Sequence, residues 1–221
     1  MHIDVLIPTW NRLALLEATV KTILESTHKD TTIFVVIDGN PRLLPVVTEW
    51  PVAVLYNKER RDWIYSINRA LQYARGDGVF YAADDLVFPP TLLAEVVAAM
   101  ESYFPDGDGL IGIKQKPTGV DSAFGLMGRK FIEHFPNRQT FCPDFVHFSS
   151  DFEIGRYARV HKKFFFCDTV TLLHHRRFDD THSLAQKSKQ HDRGISVQRR
   201  GKGLIWGTTF ERVIDGGIVN R

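Results

Sequence analysis

Short apolar runs alternate with stretches of helical periodicity through the first half of the chain, the form taken by parallel strand–helix–strand units. Residues 3–7 predict a first strand, which stops at Pro8-Thr9-Trp10-Asn11-Arg12. Leu16, Val20, Ile23 and Leu24 then make one apolar stripe on a helix over 13–24. A second strand, 32–37, ends at the turn-forming Asp38-Gly39-Asn40-Pro41. After a weak helix, a third strand over 52–56 runs into Asn57, and Ile64, Ile67, Leu71 and Ala74 mark a helix closed by Gly76. The apolar run that begins at Val79 predicts a buried strand ending in two adjacent carboxylates, Asp84 and Asp85. If extended geometry persists there, side-chain alternation keeps these two from facing the same ligand atom. A helix over 92–103 and a strand over 110–113 follow.

The second half is less regular. It predicts a strand at 123–127, a short helix at 129–135 and a clearer helix at 150–160. Ser150-Asp151-Phe152-Glu153 has the spacing of a capping box, which makes Asp151 a first-turn residue. Two strands, 163–166 and 169–173, follow, and the second delivers His174-His175-Arg176-Arg177. The expected fold class is α/β, a mostly parallel mixed sheet flanked by helices in a single domain.

Composition narrows the partners. A length of 221 residues with 43% hydrophobic content buries one substantial core. The net charge of +2 demands neither nucleic acid nor membrane, so any basic partner site must be local. Two cysteines, Cys142 and Cys167, make no disulfide framework and favour a reducing compartment. With no basic, apolar leader and no run of apolar residues long enough to span a membrane, the expectation is a soluble, cytoplasmic protein. The one strongly biased segment is 186–202, with Lys187, Lys189, Arg193, Arg199, Arg200 and Lys202 against the single acid Asp192. It reads first as a solvated face, then as a lid over a bound phosphate group, and third as a nucleic-acid contact.

The ordered set of motifs resembles the family 2 glycosyltransferases of the GT-A fold over about residues 3–178. Its parts are Pro8-Thr9-Trp10-Asn11-Arg12, Asp38, Asn57, Asn68, Gly76-Asp77, Ala83-Asp84-Asp85 with Pro89-Pro90, Ser150-Asp151-Phe152-Glu153, and His174 or His175. Two positions depart from the family pattern: Ala83 opens the acidic motif, and Ser150 precedes the expected base. The resemblance implies a metal-dependent, inverting transfer of a sugar from a nucleoside diphosphate sugar, a UDP-sugar by expectation, to a hydroxyl of a glycan, lipid-linked or protein acceptor. A nucleic-acid acceptor ranks behind these.

The resemblance also assigns roles. Asp85, with His174 or His175, would hold Mn²⁺ or Mg²⁺; Asp151 would be the general base. Pro8, Thr9, Asn11, Arg12, Asp38, Asn57, Asn68, Asp84 and Arg176 would bind the donor, with Asp38 at the base and Asp84 at the ribose. Residues 1–113 would form the nucleotide-sugar half, 114–178 the acceptor half, and 179–221 a basic segment and candidate lid. The competing reading is a noncatalytic binding module for sugar nucleotides or carbohydrate. A nucleotidyltransferase is disfavoured by the absence of glycine in the first strand–helix turn, and a dehydrogenase by the absence of a G-x-G-x-x-G helix start. A zinc site on His174, His175, His182 and His191 would be unusual without cysteine ligands.

Overall fold

A computed structural model describes residues 1–117, 119–176 and 178–208, and the backbone of 211–214 and 217–220. Five strands come from the first half: β1 (Ile3–Thr9), β2 (Thr31–Asp38), β3 (Ala53–Asn57), β4 (Gly78–Tyr81) and the short β5 (Leu86–Val87). Between them lie α1 (Leu13–Leu24), α2 (Leu44–Val47) and α3 (Asp62–Leu71). The second half adds α4 (Leu92–Tyr103), β6 (Leu110–Lys116), β7 (Gly125–Gly128), α5 (Arg129–Glu133), α6 (Ser150–Val160), β8 (Phe164–His174), α7 (Asp180–Gln186) and α8 (Lys189–Gly201). A separate antiparallel pair, β9 (Glu211–Ile214) with β10 (Gly217–Asn220), ends the chain.

The main sheet has the order β3-β2-β1-β4-β7-β6-β8-β5. Its first four strands are parallel, β6 and β8 are parallel to each other, and β7 is antiparallel to both β4 and β6. Because β1 is buried on both faces, alternation along it feeds two cores: Ile3, Val5 and Ile7 join the layer of Leu16, Val20 and Val96 under α1 and α4, while Leu6 joins Ile64, Ile67 and Leu71 of α3. Among the described residues no helix is long and apolar enough to cross a membrane.

Three local expectations are corrected. Residues 163–173 are not two strands but one, β8, whose pairing with β6 slips between Ile113/Cys167 and Lys114/Thr171, so the extra residues of β8 bulge out there. The strand before the acidic pair stops at Tyr81, and Asp84 and Asp85 sit in a turn. Alternation therefore does not govern them, and both carboxylates reach the same guanidinium, that of Arg12. The capping box does not form: Ser149, in left-handed conformation (φ 71°), is the N-cap, Ser150 Oγ is buried without a hydrogen-bond partner, and the Glu153 carboxylate turns to Arg199.

Candidate functional site

The carboxyl ends of β1, β2 and β4 open onto a cavity of about 680 Å³, which is closed from the other side by α6, the end of β8 and the α7–α8 segment. Ligands in open α/β sheets gather at such strand ends. Pro8, Thr9, Arg12, Asp38, Asp84, Asp85, Asp151, His174 and Arg176 all line it. The structure thus brings together residues that are up to 168 positions apart in the sequence.

At the centre, Thr9 Oγ1 donates to Asp84 Oδ2 (2.8 Å), and Arg12 Nη1 reaches Asp84 Oδ1 (3.3 Å) and Asp85 Oδ2 (2.9 Å). Burial, reinforced by the neighbouring charge of Asp85 and opposed by Arg12, pushes the Asp84 carboxyl up to about 6. The other oxygen of Asp85 is different. Asp85 Oδ1 is buried without a hydrogen-bond partner among the described residues, and His174 Nε2 stands 3.2 Å from it.

That spacing tests the expected cation. Adjacent ligands around an octahedral ion with bonds of about 2.1 Å are about 3 Å apart, so an unpartnered carboxylate oxygen and an imidazole nitrogen at 3.2 Å fit a hard divalent ion. No cluster of three or more His, Cys, Asp or Glu converges among the described residues, which leaves the remaining coordination positions to water and phosphate oxygens. Pairing of Leu86 with His174 across β5 and β8 sets the imidazole in place, and its ring meets Phe124 edge-on at 5.2 Å. His175 is exposed and outside the cavity lining, and its backbone N–H donates to the Asp85 carbonyl (2.8 Å).

The wall over β2 is built on Asp38. Its carboxylate accepts from Asn57 Nδ2 (2.8 Å) and from the backbone N–H groups of Arg61 (2.9 Å) and Asp62 (2.8 Å), so it ties down the start of α3. Gly39 (φ 75°) is required beneath this loop, since a Cβ there would lie 2.4 Å from the Arg60 backbone nitrogen. The Arg60 guanidinium lies 5.2 Å from the Trp10 ring centroid, and both residues line the cavity. Asn57 and Asn68 lie behind the wall: Asn57 supports Asp38, and Asn68 holds the backbone of Phe141 through bonds of 2.7 and 3.2 Å. Asn11 is also outside the cavity lining, within 3.4 Å of Asn40.

Across the cavity, α6 presents Asp151 from its first turn. Burial pushes its carboxyl up to about 6, against hydrogen bonds from backbone N–H groups and the nearby His147, which lower it. Sequence reasoning missed two partners here. Asp62, a non-glycine residue at φ 68°, accepts from His147 Nδ1 (2.6 Å) and pairs with Arg60 Nη2 (3.0 Å), and both Asp62 and His147 face the cavity. Positive φ at an aspartate marks strain retained at a site, but nothing in the local sequence announces it. Asp179 is the third miss: its carboxylate takes Arg12 Nε (2.9 Å) and Nη2 (2.8 Å) side by side. Arg177 lies outside the described residues.

The sequence profile of glycosyl transferase family 2 matches residues 4–165. No curated protein sequence matches the chain significantly. Among solved structures, the mannosyltransferase PcManGT from Pyrobaculum calidifontis, in complex with GDP-Man and Mn²⁺, superposes with a TM-score of 0.71 at 16% identity, covering 89% of this chain and 64% of its own. TarS of S. aureus in complex with UDP-GlcNAc superposes with a TM-score of 0.69 at 14% identity, covering 83% of this chain and 61% of its own. These likenesses establish the GT-A fold, and the chain spans less than two thirds of the length of either structure.

Proposed function

This chain belongs to glycosyl transferase family 2, and we propose that it moves a sugar from a nucleoside diphosphate sugar, a UDP-sugar first among them, to an acceptor hydroxyl with inversion at the anomeric carbon. The observation that carries the reading is the placement of the Asp85–His174 pair and of Asp151 on different walls of one cavity. Residues 1–113 supply the donor wall and 114–178 most of the acceptor wall.

Trp10 and Arg60 offer a flat aromatic and cationic wall for the nucleobase. Asp38, whose oxygens already accept three hydrogen bonds, shapes the base end by holding the Arg60–Asp62 loop. Asp84, fixed by Thr9, would accept from a ribose hydroxyl. Asp85 and His174 would hold Mn²⁺ or Mg²⁺, which when bound neutralises charge on the departing diphosphate; Arg12 and Arg176 supply fixed positive charge beside it. Asp151 would take the acceptor proton as the hydroxyl oxygen attacks from the side away from the leaving group. Asp62 holds the His147 ring, and His147 in turn favours the ionised form of Asp151.

The test is a thermal-shift panel of nucleoside diphosphates with and without Mn²⁺, since a ligand bound only by the folded state raises the melting temperature. A Mn²⁺-dependent shift with one nucleotide supports the reading and names the donor base. No shift with any nucleotide favours the noncatalytic carbohydrate-binding alternative.

A further inference from the structure

Helix α8 docks through one face and leaves a second one bare. On the docked face Asp192, fully buried, accepts from the backbone N–H groups of Val146 (2.9 Å), His147 (2.9 Å) and Phe148 (2.7 Å). Seven residues on, Arg199 pairs with Glu153 of α6 and with Asp144. Positions three, four and seven apart share a helix face. Lys189, Arg193, Ser196 and Arg200 follow that spacing on the adjoining side, so three cations form a stripe about 16 Å long. Lys189, Arg193 and Arg200 are exposed and have no ion-pair partner among the described residues. The acid that the sequence places among them, Asp192, is spent inside the fold.

The stripe has a defined start. Lys189 and Arg193 line the cavity, whereas Arg200 lies beyond it. Asp192 grips the loop immediately ahead of Asp151, so the stripe begins at the acceptor side of the site. Two aromatic rings stand exposed in the lining of the same cavity: Phe178, 90% exposed and edge-on to His182 at 5.0 Å, and Phe152, 48% exposed and adjacent to Asp151. A row of cations that tracks a backbone, with rings on which bases stack, is how proteins hold single strands. A ringless polyanion would use only the cations, and a duplex keeps its bases stacked inside. A donor diphosphate would not extend to Arg200.

We propose that the acceptor is a single-stranded nucleic acid, with its phosphodiester backbone along Lys189, Arg193 and Arg200 and unstacked bases against Phe178 and Phe152. This rests on the glycosyltransferase reading above. In the transfer, a hydroxyl oxygen of the strand bonds to the anomeric carbon, the bond from that carbon to the diphosphate oxygen breaks with its electron pair leaving on the nucleoside diphosphate, and the hydroxyl proton passes to Asp151.

The experiment is fluorescence anisotropy of the full chain with a labelled 12-nucleotide oligothymidylate, titrated with salt and competed with inorganic polyphosphate, alongside the nucleoside diphosphate and Mn²⁺ thermal shift. Three neutralised phosphates predict a slope of log affinity against log salt of about −2, at about −0.7 per phosphate for single strands. Arg200→Glu should weaken oligonucleotide binding about tenfold and flatten the slope by about 0.7 or more, with the nucleotide shift unchanged. Phe178→Ala should weaken it at least about fivefold, and polyphosphate should compete poorly. No oligonucleotide binding alongside a normal nucleotide shift overturns this inference and leaves the family reading standing. Binding that ignores both substitutions, or polyphosphate that binds as well as the oligonucleotide, overturns it too. Oligonucleotide binding with no shift for any nucleotide removes the strand as acceptor, because the donor reading has then failed.

Discussion

Arg12 and Asp179, 167 positions apart, meet in a two-point ion pair whose third guanidinium nitrogen rests on Asp85. One side chain thus links the first strand–helix turn, the acidic turn after β4 and the start of the C-terminal helices. Two parallel N–H···O bonds fix the geometry as well as the charge.

Asp179→Asn should loosen the C-terminal segment. The hydrogen bond from Arg12 holds the Asp179 carboxyl below its usual range, so its contribution is present above the unfolded pKa and lost as pH falls through the lower folded value. The carboxylate is partly solvated, so the cost in global stability is about 1 kcal/mol or less. Limited proteolysis should show faster cleavage between residues 179 and 189, and unchanged cleavage would show that the pair does not hold the segment.

Asp151→Asn should retain nucleotide binding and lose transfer by about 10²- to 10⁴-fold, the usual contribution of a positioned base. Because burial raises the folded pKa to about 6, transfer in the parent protein should rise with pH through that value. The stability sign runs the other way. Between about 3.8 and 6 the folded state binds more protons than the unfolded state, so stability falls as pH rises, and the neutral asparagine removes that loss. A pH–rate profile flat from 5 to 8 would exclude Asp151 as the base.

Where local periodicity carries the information, the sequence is legible. Helices α1 and α4 occupy the expected 13–24 and 92–103 because each buries an apolar stripe, and α6 occupies the expected 150–160 although its buried side also carries Ser150 and Glu153. Asp38, Asp151 and His174 line the cavity from the strand ends and the helix start where the sequence places them, whereas Asp84 and Asp85 do so from a turn beyond the strand. What is not legible depends on contacts without period. Helix α8 docks by a buried carboxylate and an arginine in place of an apolar stripe, so its sequence reads only as charge. Asp62 and His147 are 85 positions apart and become a pair only through the left-handed turn at Asp62.

Asp85→Asn tests the cation pair. Asp85 is only 4% exposed and bonded to Arg12, so the turn is packed. The amide conserves volume but weakens both the link to Arg12 and the binding of a hard cation. The Mn²⁺-dependent part of the nucleotide thermal shift should vanish, while any metal-independent nucleotide shift persists. His174→Ala should weaken the same component. Retention of the full Mn²⁺ effect in both variants would place the ion elsewhere.

Asp192→Ala is expected to be among the most damaging substitutions outside the cavity. Its carboxylate satisfies three consecutive backbone N–H groups, those of Val146, His147 and Phe148, and truncation leaves them unpaired at the α8 interface. Each such orphan costs about 1 to 3 kcal/mol, so a total loss of about 2 to 6 kcal/mol follows even if water rescues one. Asn offers one acceptor oxygen in place of two and should recover part of that. The damage should also reach the site, because the released loop carries His147 and leads into Asp151. Denaturant unfolding gives the stability ordering parent, Asp192→Asn, Asp192→Ala, and hydrogen exchange at residues 146–148 should accelerate in the same order. If Asp192→Ala unfolds at the parent midpoint with those amides still protected, α8 is held by something other than this carboxylate.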